Sequence, residues 1–257
     1  LAAGAHWTLL AASMTTPRYG HAAAVLRGLI YAAGGINNGN TNGLASVERF
    51  DGGAHSAWAL VASMGTGRFG FALVALEEGG PSHHGGMLVA AGGCKDWSCN
   101  SGALASAEAY DPVADQWAAI ADMATARYEC AGAALHGKAY VSGGGDNNNN
   151  VLSSVEVFDP ATGKWAAAPP MGTARMRHAA AALVVGGTAR IYVSGGCKDT
   201  NCNPPFATAE ALSAHWHECN ATAPGGCTVC AACCNAFIPD GGACEACYDT
   251  ECGPFPP

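Results

Sequence analysis

The side chains with the most distinctive chemistry in this sequence are its thirteen cysteines. Two short stretches, CKDWSC at 94–99 and CKDTNC at 197–202, carry the same spacing directly after a glycine pair. Cysteines five residues apart can bring their Cα atoms within the roughly 4.4–6.8 Å that a disulfide requires if the loop curls back. A metal site would need two further ligands, of which Asp96 or Asp199 could supply one. We favour disulfides, which would join Cys94 to Cys99 and Cys197 to Cys202.

A second group of eight cysteines lies within residues 219–252. Two CxxC pairs in this segment, CTVC and CEAC, have close to zinc-ribbon spacing and could bind one zinc ion through Cys227, Cys230, Cys244 and Cys247. Alternatively, all eight form disulfides in a module that is too short for a hydrophobic core. We favour the second interpretation, because pairing then leaves only Cys130 over. The disulfide candidates of this segment are Cys219, Cys227, Cys230, Cys233, Cys234, Cys244, Cys247 and Cys252.

The cysteine content also predicts where the protein is located. Cytosolic proteins rarely keep so many cysteines oxidised. Asn220-Ala221-Thr222 is a glycosylation sequon, which has meaning only in a secretory route, so Asn220 is a candidate glycosylation site. We therefore expect an extracellular or luminal protein. No cofactor is predicted, with zinc in the cysteine-rich segment as the alternative.

Composition excludes several classes of protein. The net charge is −8, whereas nucleic-acid phosphates demand a basic face. No apolar run approaches the roughly 20 residues of a membrane-spanning segment. The sequence starts at Leu1 with neither an initiator Met nor a signal sequence, and we interpret it as a mature or truncated piece of a longer precursor.

An internal repeat must position the cysteine loops. A strand-like run that ends in a glycine pair occurs four times, as GLIYAAGG, GMLVAAGG, GKAYVSGG and ARIYVSGG. Each run is preceded by an Arg that leads into a small-residue strand, and is followed by a strand with Glu and then by a Trp. One period therefore contains four short strands, which we call a, b, c and d. The arginines are Arg18, Arg68, Arg127 and Arg175, and the tryptophans are Trp58, Trp117, Trp165 and Trp216.

This period resembles the kelch repeat, whose period is about 50 residues and whose four strands form one blade of a β-propeller. The resemblance implies an all-β fold with four complete blades and a small disulfide-rich C-terminal module. The blades lie at about 18–58, 68–117, 127–165 and 175–216, within a propeller domain of residues 1–217, and the module comprises residues 218–257. Trp7 is left as an orphan strand d, which predicts that the blades belong to a larger ring. The cysteine-rich segment is similar to those of secreted or luminal proteins of protists and microalgae.

The resemblance also implies a binding surface. In a four-stranded antiparallel blade the b–c and d–a loops emerge on one face, so the cysteine loops share that face with the Asn-rich loops at 36–43 and 145–150. In peptide-binding kelch proteins the Arg at the start of strand a lines the mouth of the central channel and contacts acidic partners. The alternative is that these side chains pair with carboxylates or carbonyl groups of neighbouring blades. The matching residues are Arg18, Arg68, Arg127 and Arg175, with Arg177 close by.

No nucleophile elbow, phosphate loop or zinc-protease motif occurs in the sequence. We therefore predict a non-enzymatic protein-binding or assembly subunit of an extracellular or luminal complex, with other proteins as its partners. The rival hypothesis is a carbohydrate-active or copper-dependent propeller enzyme of the oxidase or epimerase type. Copper-radical oxidases use a Cys-linked Tyr, for which Tyr128 and Cys130 are the candidates, but no matching set of ligands accompanies them.

Overall fold

The computed structural model describes residues 10, 12–38, 42–53, 57–77, 85–99, 102–185 and 188–213. The chain divides into two units, residues 1–213 and 214–257, and the second lies outside the described residues. The expected disulfides or zinc site of the cysteine-rich segment, the sequon at Asn220, and strand d around Trp216 all fall outside as well. These expectations stay predictions.

Short antiparallel strands make up the secondary structure of the described residues, which contain no helix. Alanine-rich stretches of alternating burial form the inner strands, because a period of two places successive side chains on opposite faces of a sheet. The strands are β1 (Ala22–Leu26), β2 (Leu29–Ala33), β3 (Val47–Phe50), β4 (Ala59–Val61), β5 (Ala72–Leu76), β6 (Met87–Ala91), β7 (Ala107–Asp111), β8 (Gln116–Ile120), β9 (Ala131–Leu135), β10 (Lys138–Ser142), β11 (Val155–Asp159), β12 (Lys164–Ala168), β13 (Ala179–Val185), β14 (Thr188–Ser194) and β15 (Ala209–Ser213).

These strands form four antiparallel sheets, and each sheet corresponds to one repeat. Blade 1 has the order β1-β2-β3-β4, blade 2 β5-β6-β7-β8, and blade 3 β9-β10-β11-β12, while blade 4 has β13-β14-β15 among the described residues. The predicted kelch-type β-propeller arrangement is therefore confirmed. No described segment forms a helix that is long and apolar enough to cross a membrane.

Apolar side chains from adjacent blades interlock between the sheets. Leu26 and Tyr31 of blade 1 pack with Leu73 and Leu88 of blade 2 in one cluster. In blades 1 to 3 the Trp of strand d lies against the aromatic residue of strand c, and in blades 2 and 3 its indole N–H donates to a backbone carbonyl of the preceding blade. Trp117, for example, donates to the carbonyl oxygen of Ala62 at 3.0 Å. Buried indole groups require such a partner.

The glycine pairs allow the blades to approach each other closely. Gly143 has φ +58°, and a Cβ built on it would lie 2.3 Å from the carbonyl oxygen of Arg175 in the next blade. Only glycine fits there, because both the left-handed conformation and the contact exclude a side chain. Packing of the inner strands proceeds from β1 to β5, β9 and β13, and among the described residues no comparable packing joins β13 back to β1.

Candidate functional site

The four arginines that precede the inner strands are buried. In blade 2, Nη1 of Arg68 donates to the carbonyl oxygens of Gly92 and Ser106, both at 2.8 Å, and Nη2 donates to Glu108 Oε1 at 2.9 Å and to Ser106 Oγ at 3.1 Å. The other repeats use the same contacts. The ion pairs are Arg18–Glu48, Arg68–Glu108, Arg127–Glu156 and Arg175–Glu210, at 2.6–2.9 Å, and each Arg side chain has no exposed surface.

The carboxylate of each pair also accepts hydrogen bonds from the backbone just before the Arg. In blade 1, Glu48 accepts the N–H groups of Thr15 at 2.6 Å and Thr16 at 3.1 Å. Burial alone would raise the pKa of Glu48, but the hydrogen bonds from Arg18 and from these threonines outweigh it and lower the pKa below its ordinary value. Each Arg–Glu unit thus ties the d–a segment, the glycine pair and strand c of one repeat together.

This geometry favours the alternative interpretation of the arginines. The guanidinium groups of Arg18, Arg68, Arg127 and Arg175 contact carbonyl and carboxylate oxygens inside the fold, and the carboxylate belongs to the same repeat rather than to a neighbour. They present no surface that a partner could contact. Of the five predicted partner-binding residues, only Arg177 has an exposed side chain, at 43%.

Arg177 forms a polar bridge between repeats. Its Nε donates to Glu129 Oε2 at 2.5 Å, and its Nη1 donates to the carbonyl oxygen of Thr200 at 3.0 Å. Glu129 and Arg177 occupy the position that Gly20 and Gly70 occupy in the first two repeats, and all four have φ between +50° and +61°. For non-glycine residues this conformation costs roughly 1–2 kcal/mol. Repeats 3 and 4 therefore place an ion pair where repeats 1 and 2 have glycine.

The same position carries a series of hydrogen bonds from blade to blade. The backbone N–H of Gly70 donates to the carbonyl oxygen of Gly20 at 3.1 Å. In the same way the N–H of Glu129 donates to the carbonyl oxygen of Gly70 at 2.6 Å, and the N–H of Arg177 to that of Glu129 at 2.9 Å. Because each bond joins the segment before one inner strand to that before the next, the Glu129–Arg177 pair lies on a backbone that neighbouring blades hold in place.

The two cysteine loops lie beside these segments. The structure brings both predicted pairs to disulfide distance, with Cα atoms 5.2 Å apart for Cys94–Cys99 and 4.8 Å apart for Cys197–Cys202. The first loop is also tied to blade 1, since Gly43 N–H donates to the carbonyl oxygen of Lys95 at 2.6 Å. We call the surface formed by segments 65–70, 94–99, 127–130, 145–150, 175–178 and 197–202, together with Tyr19, the loop face.

Two aromatic side chains of the loop face are exposed. Trp97, within the first cysteine loop, is 60% exposed, and Tyr19 is 52% exposed. The Tyr19 ring meets the edge of the Phe69 ring, with centroids 6.2 Å apart, and Phe69 N–H donates to the carbonyl oxygen of Cys94 at 2.9 Å. Trp97, Tyr19 and Glu129 are not among the site residues predicted from the sequence. A signal was available for Trp97, because a tryptophan inside a six-residue cysteine loop has no room to turn inward.

Two titratable groups lie inside the fold near this face. Burial raises the pKa of the Cys130 thiol to about 11, so this cysteine is neutral and packs as a small apolar side chain. Burial, with the nearby charge of Arg175, lowers the pKa of His178 to about 4. His178 Nε2 lies 2.9 Å from Ser142 Oγ, and its Nδ1 has no partner. Among the described residues, no group of three or more His, Cys, Asp or Glu side chains could hold a metal ion.

Comparison with known proteins agrees with this architecture. The Kelch motif matches residues 17–65, 80–124 and 126–172, which together exceed half of the chain. Kelch-like protein 36 of Rattus norvegicus is 34% identical over 137 residues, which are 52% of this chain and 20% of that protein. Kelch-like protein 35 of Mus musculus is 34% identical over 138 residues, which are 54% of this chain and 21% of that protein. The chain thus spans about a fifth of the length of the curated relatives that it matches.

Proposed function

Because the chain belongs to the Kelch-motif family, we propose that it is a non-enzymatic protein-binding or assembly subunit whose binding surface is the loop face. We place this subunit in an extracellular or luminal complex. Other proteins are its partners, and the net charge of −8 argues against nucleic acid. The proposal is supported by the similarity of the chain to Kelch-like proteins and by the geometry of the loop face.

The observation that carries the proposal is the exposure of Trp97 in a constrained loop. Tryptophan is among the residues most enriched at the energetic centres of protein interfaces. The 94–99 loop is closed by its cysteine pair and hydrogen-bonded to Gly43, so the indole is presented on a backbone that is ordered before a partner arrives. Binding through such a group costs little conformational entropy.

The remainder of the loop face suits the rim of an interface. The Glu129–Arg177 pair is partly exposed, and a charge pair at a rim contributes to orientation and association rate more than to affinity. Tyr19 adds a second exposed aromatic ring on the side of blade 1. An aromatic centre with polar surroundings is the usual composition of a protein-binding surface.

The location of the complex is supported by the two cysteine pairs at disulfide distance, which are compatible with an oxidising compartment. We propose in addition that the eight cysteines of residues 219–252 are disulfide-bonded and that no cofactor is bound. Mass spectrometry after alkylation under denaturing, non-reducing conditions should then label only Cys130, and labelling after reduction should modify all thirteen cysteines. Several labelled cysteines before reduction, together with co-purified zinc, would instead support the zinc alternative.

The binding proposal is tested by comparing two single substitutions. A photo-crosslinking residue at position 98, beside the intact Trp97, first identifies the bound protein in the secretory fraction of the source organism, and its affinity for the purified chain is then measured by biolayer interferometry. We expect Trp97→Ala to weaken binding at least about tenfold. Val113→Ala, which alters an exposed apolar side chain in the turn between β7 and β8, should leave the affinity unchanged. Equal affinities for the wild type and Trp97→Ala would overturn the proposed site.

A further inference from the structure

The first cysteine loop is attached to both of the blades that flank it. On the side of blade 1, Gly43 N–H donates to the carbonyl oxygen of Lys95 at 2.6 Å. On the side of blade 3, the backbone N–H of Ala103 donates to Asn147 Oδ1 at 2.5 Å. Trp97 therefore lies, along the chain, between two points of attachment that belong to different blades.

The contact between Asn147 and blade 2 is close on both sides of the amide group. Its Nδ2 donates back to the carbonyl oxygen of Ala103 at 3.5 Å, so one side chain contacts the N–H and the carbonyl group of a single residue. Gly102 has φ +86°, and a Cβ built on it would lie 2.9 Å from Asn147 Oδ1. The asparagine thus fits against blade 2 because a glycine precedes Ala103.

The residue that Asn147 holds is connected to both cysteines of the loop. Ala103 and Cys94 pair in an isolated antiparallel β-bridge. The neighbouring N–H of Gly102 donates to the carbonyl oxygen of Cys99 at 2.8 Å. A displacement of Ala103 would therefore be passed to the base of the loop and, through it, to the indole ring that the loop exposes.

Asn147 is itself placed by a well-ordered turn. Asp146 Oδ1 accepts the backbone N–H groups of Asn148 and Asn150, both at 2.8 Å, and Asp146 Oδ2 accepts the side-chain amide of Asn150 at 3.0 Å. The backbone on either side of Asn147 is thus fixed, so little conformational entropy is lost when its side chain binds blade 2.

The second cysteine loop has a different support. Among the described residues, no hydrogen bond joins segment 145–151 to segment 197–202. The second loop is instead contacted by Arg177, whose Nη1 donates to the carbonyl oxygen of Thr200 at 3.0 Å. The two loops share their cysteine spacing, but only the one that exposes Trp97 is tied to the loops of both flanking blades.

From these contacts we propose that Asn147 is a positioning residue for partner binding at Trp97, through which blade 3 fixes the orientation of the loop of blade 2. This role rests on the proposed function of the loop face. A binding group that is ordered in advance loses less conformational freedom when the partner arrives. The shortest contact is the bond from Ala103 N–H to the side-chain oxygen, so position 147 requires an acceptor rather than the amide nitrogen.

Hydrogen exchange of the free chain tests the attachment without a partner. Asn147→Ala should accelerate exchange of the Ala103 amide about tenfold or more, because that N–H loses its acceptor. Asn147→Asp keeps an oxygen in the same place and should keep the exchange slow. Asn148→Ala is the matched control, since it removes an adjacent exposed amide whose side chain has no hydrogen bond among the described residues. Urea titration should give all three variants the same unfolding midpoint.

Fluorine NMR reports on the indole ring directly. The chain is labelled with 5-fluorotryptophan, and the signal of Trp97 is identified by its loss in Trp97→Phe. In Asn147→Ala this signal should become narrower, because the ring gains motion on the nanosecond timescale. The same signal should be unchanged in Asn147→Asp and in Asn148→Ala.

Affinity for the protein that is crosslinked at position 98 then separates positioning from direct contact, since Asn147 is itself exposed. We expect Asn147→Ala to weaken binding about threefold to tenfold, and Asn147→Asp and Asn148→Ala to bind as the wild type does. In the Trp97→Ala background, Asn147→Ala should cause no further loss, because it acts through the indole ring.

Three results would overturn the inference: unchanged exchange of Ala103 in Asn147→Ala, unchanged affinity in spite of faster exchange, or an additional loss of affinity in the Trp97→Ala background. The last result would make Asn147 a direct contact of the partner. If Trp97→Ala itself leaves the affinity unchanged, the proposed binding site fails and the role of Asn147 in binding fails with it. If only Asn147→Ala is without effect, the proposed binding site stands.

Discussion

The buried Arg–Glu units and the loop face lie only a few residues apart in every repeat, yet they differ in how strictly the chain repeats them. Each of the four units has the same donors and acceptors, with ion-pair distances that vary only from 2.6 to 2.9 Å. The loop face changes in every repeat: only two loops carry cysteine pairs, one carries Trp97, and the third and fourth repeats bear Glu129 and Arg177 in place of glycine.

The difference follows from solvent access. Loss of a partner from a buried guanidinium incurs a desolvation penalty, so each repeat supplies the same set of acceptors for Nη1 and Nη2, while Nε of all four arginines is buried without a hydrogen-bond partner. An exposed loop residue has water as an alternative partner, so its identity is free to vary. The repeated elements therefore identify the scaffold, and the departures from the repeat identify the surface that can serve a function.

The largest effect is expected when a buried unit is broken. Arg127→Ala leaves Glu156 buried without its charge partner and should lower the free energy of unfolding by about 3–5 kcal/mol in urea titration. Arg177→Ala removes an ion pair that is partly exposed and should cost less than about 1 kcal/mol. Equal costs for the two substitutions would contradict the assignment of Arg127 to the scaffold and Arg177 to the surface.

The next effect concerns His178 and pH. The unfolded chain takes up a proton at this side chain near pH 6.5, whereas the folded chain does so only near pH 4. The stability that depends on neutral His178 is therefore fully present above pH 6.5 and is lost as the pH falls toward 4. The free energy of unfolding should decrease by about 3 kcal/mol over this range. Urea titrations across this range should show the loss in the wild type and a smaller loss in His178→Phe, which places the residue of blade 2 at this position.

His136→Asn, in the exposed turn between β9 and β10, is the matched control for His178→Phe. It should follow the wild-type pH dependence, because the substitution leaves the buried His178 unchanged. If both variants show the same pH dependence, the buried histidine is not its source.

A smaller effect distinguishes the glycine pair of blade 3 from the glycine pair of blade 4. Gly143→Ala introduces a Cβ 2.3 Å from a backbone carbonyl and should destabilise the chain by about 2 kcal/mol more than Gly195→Ala, where the space is open and only the positive φ opposes a side chain. Urea titration of the two variants against the wild type provides the measurement. Equal destabilisation by both substitutions would contradict the assignment of Gly143 to a close contact between blades.

The smallest effect concerns a cysteine loop. Cys99→Ala opens the six-residue loop of blade 2 and should lower stability by at most about 2 kcal/mol, because a short loop loses little entropy on closure. The loss of binding free energy for the partner should exceed the loss of unfolding free energy, because the loop holds Trp97. Cys130→Ala leaves both loops closed and should preserve partner affinity. Unchanged affinity in Cys99→Ala would show that the closed loop is not required to present Trp97.

The fold could be predicted from the sequence because its signals recur. The glycine pairs, the Arg before each inner strand and the Trp of strand d recur in the same order and at similar spacing in successive repeats. Such a recurrence does not arise by chance, and it therefore identifies the repeat. The cysteine pairs were predictable because five-residue spacing limits where the two side chains can meet.

The environments of individual side chains could not be predicted in this way. Repetition marks Arg127 as part of the scaffold, but only the structure shows that its side chain is fully buried against Glu156, whereas that of Arg177 is exposed and paired with Glu129. The same holds for Leu135 and Leu183, which occupy equal positions in consecutive repeats. Burial depends on which neighbouring blade covers a residue, and that is a property of the assembled sheets.

The sequence by itself thus determined the order of the described strands within each repeat and the closure of the two loops, since these depend on local spacing and on glycines that no other residue type can replace. Tertiary structure alone decided that four arginines face inward, that Glu129 and Arg177 meet across two repeats, and that His178 meets Ser142 between blades 3 and 4. The physical reason is that these features arise between segments about 50 residues apart, where only the packing of one sheet on the next brings the groups together.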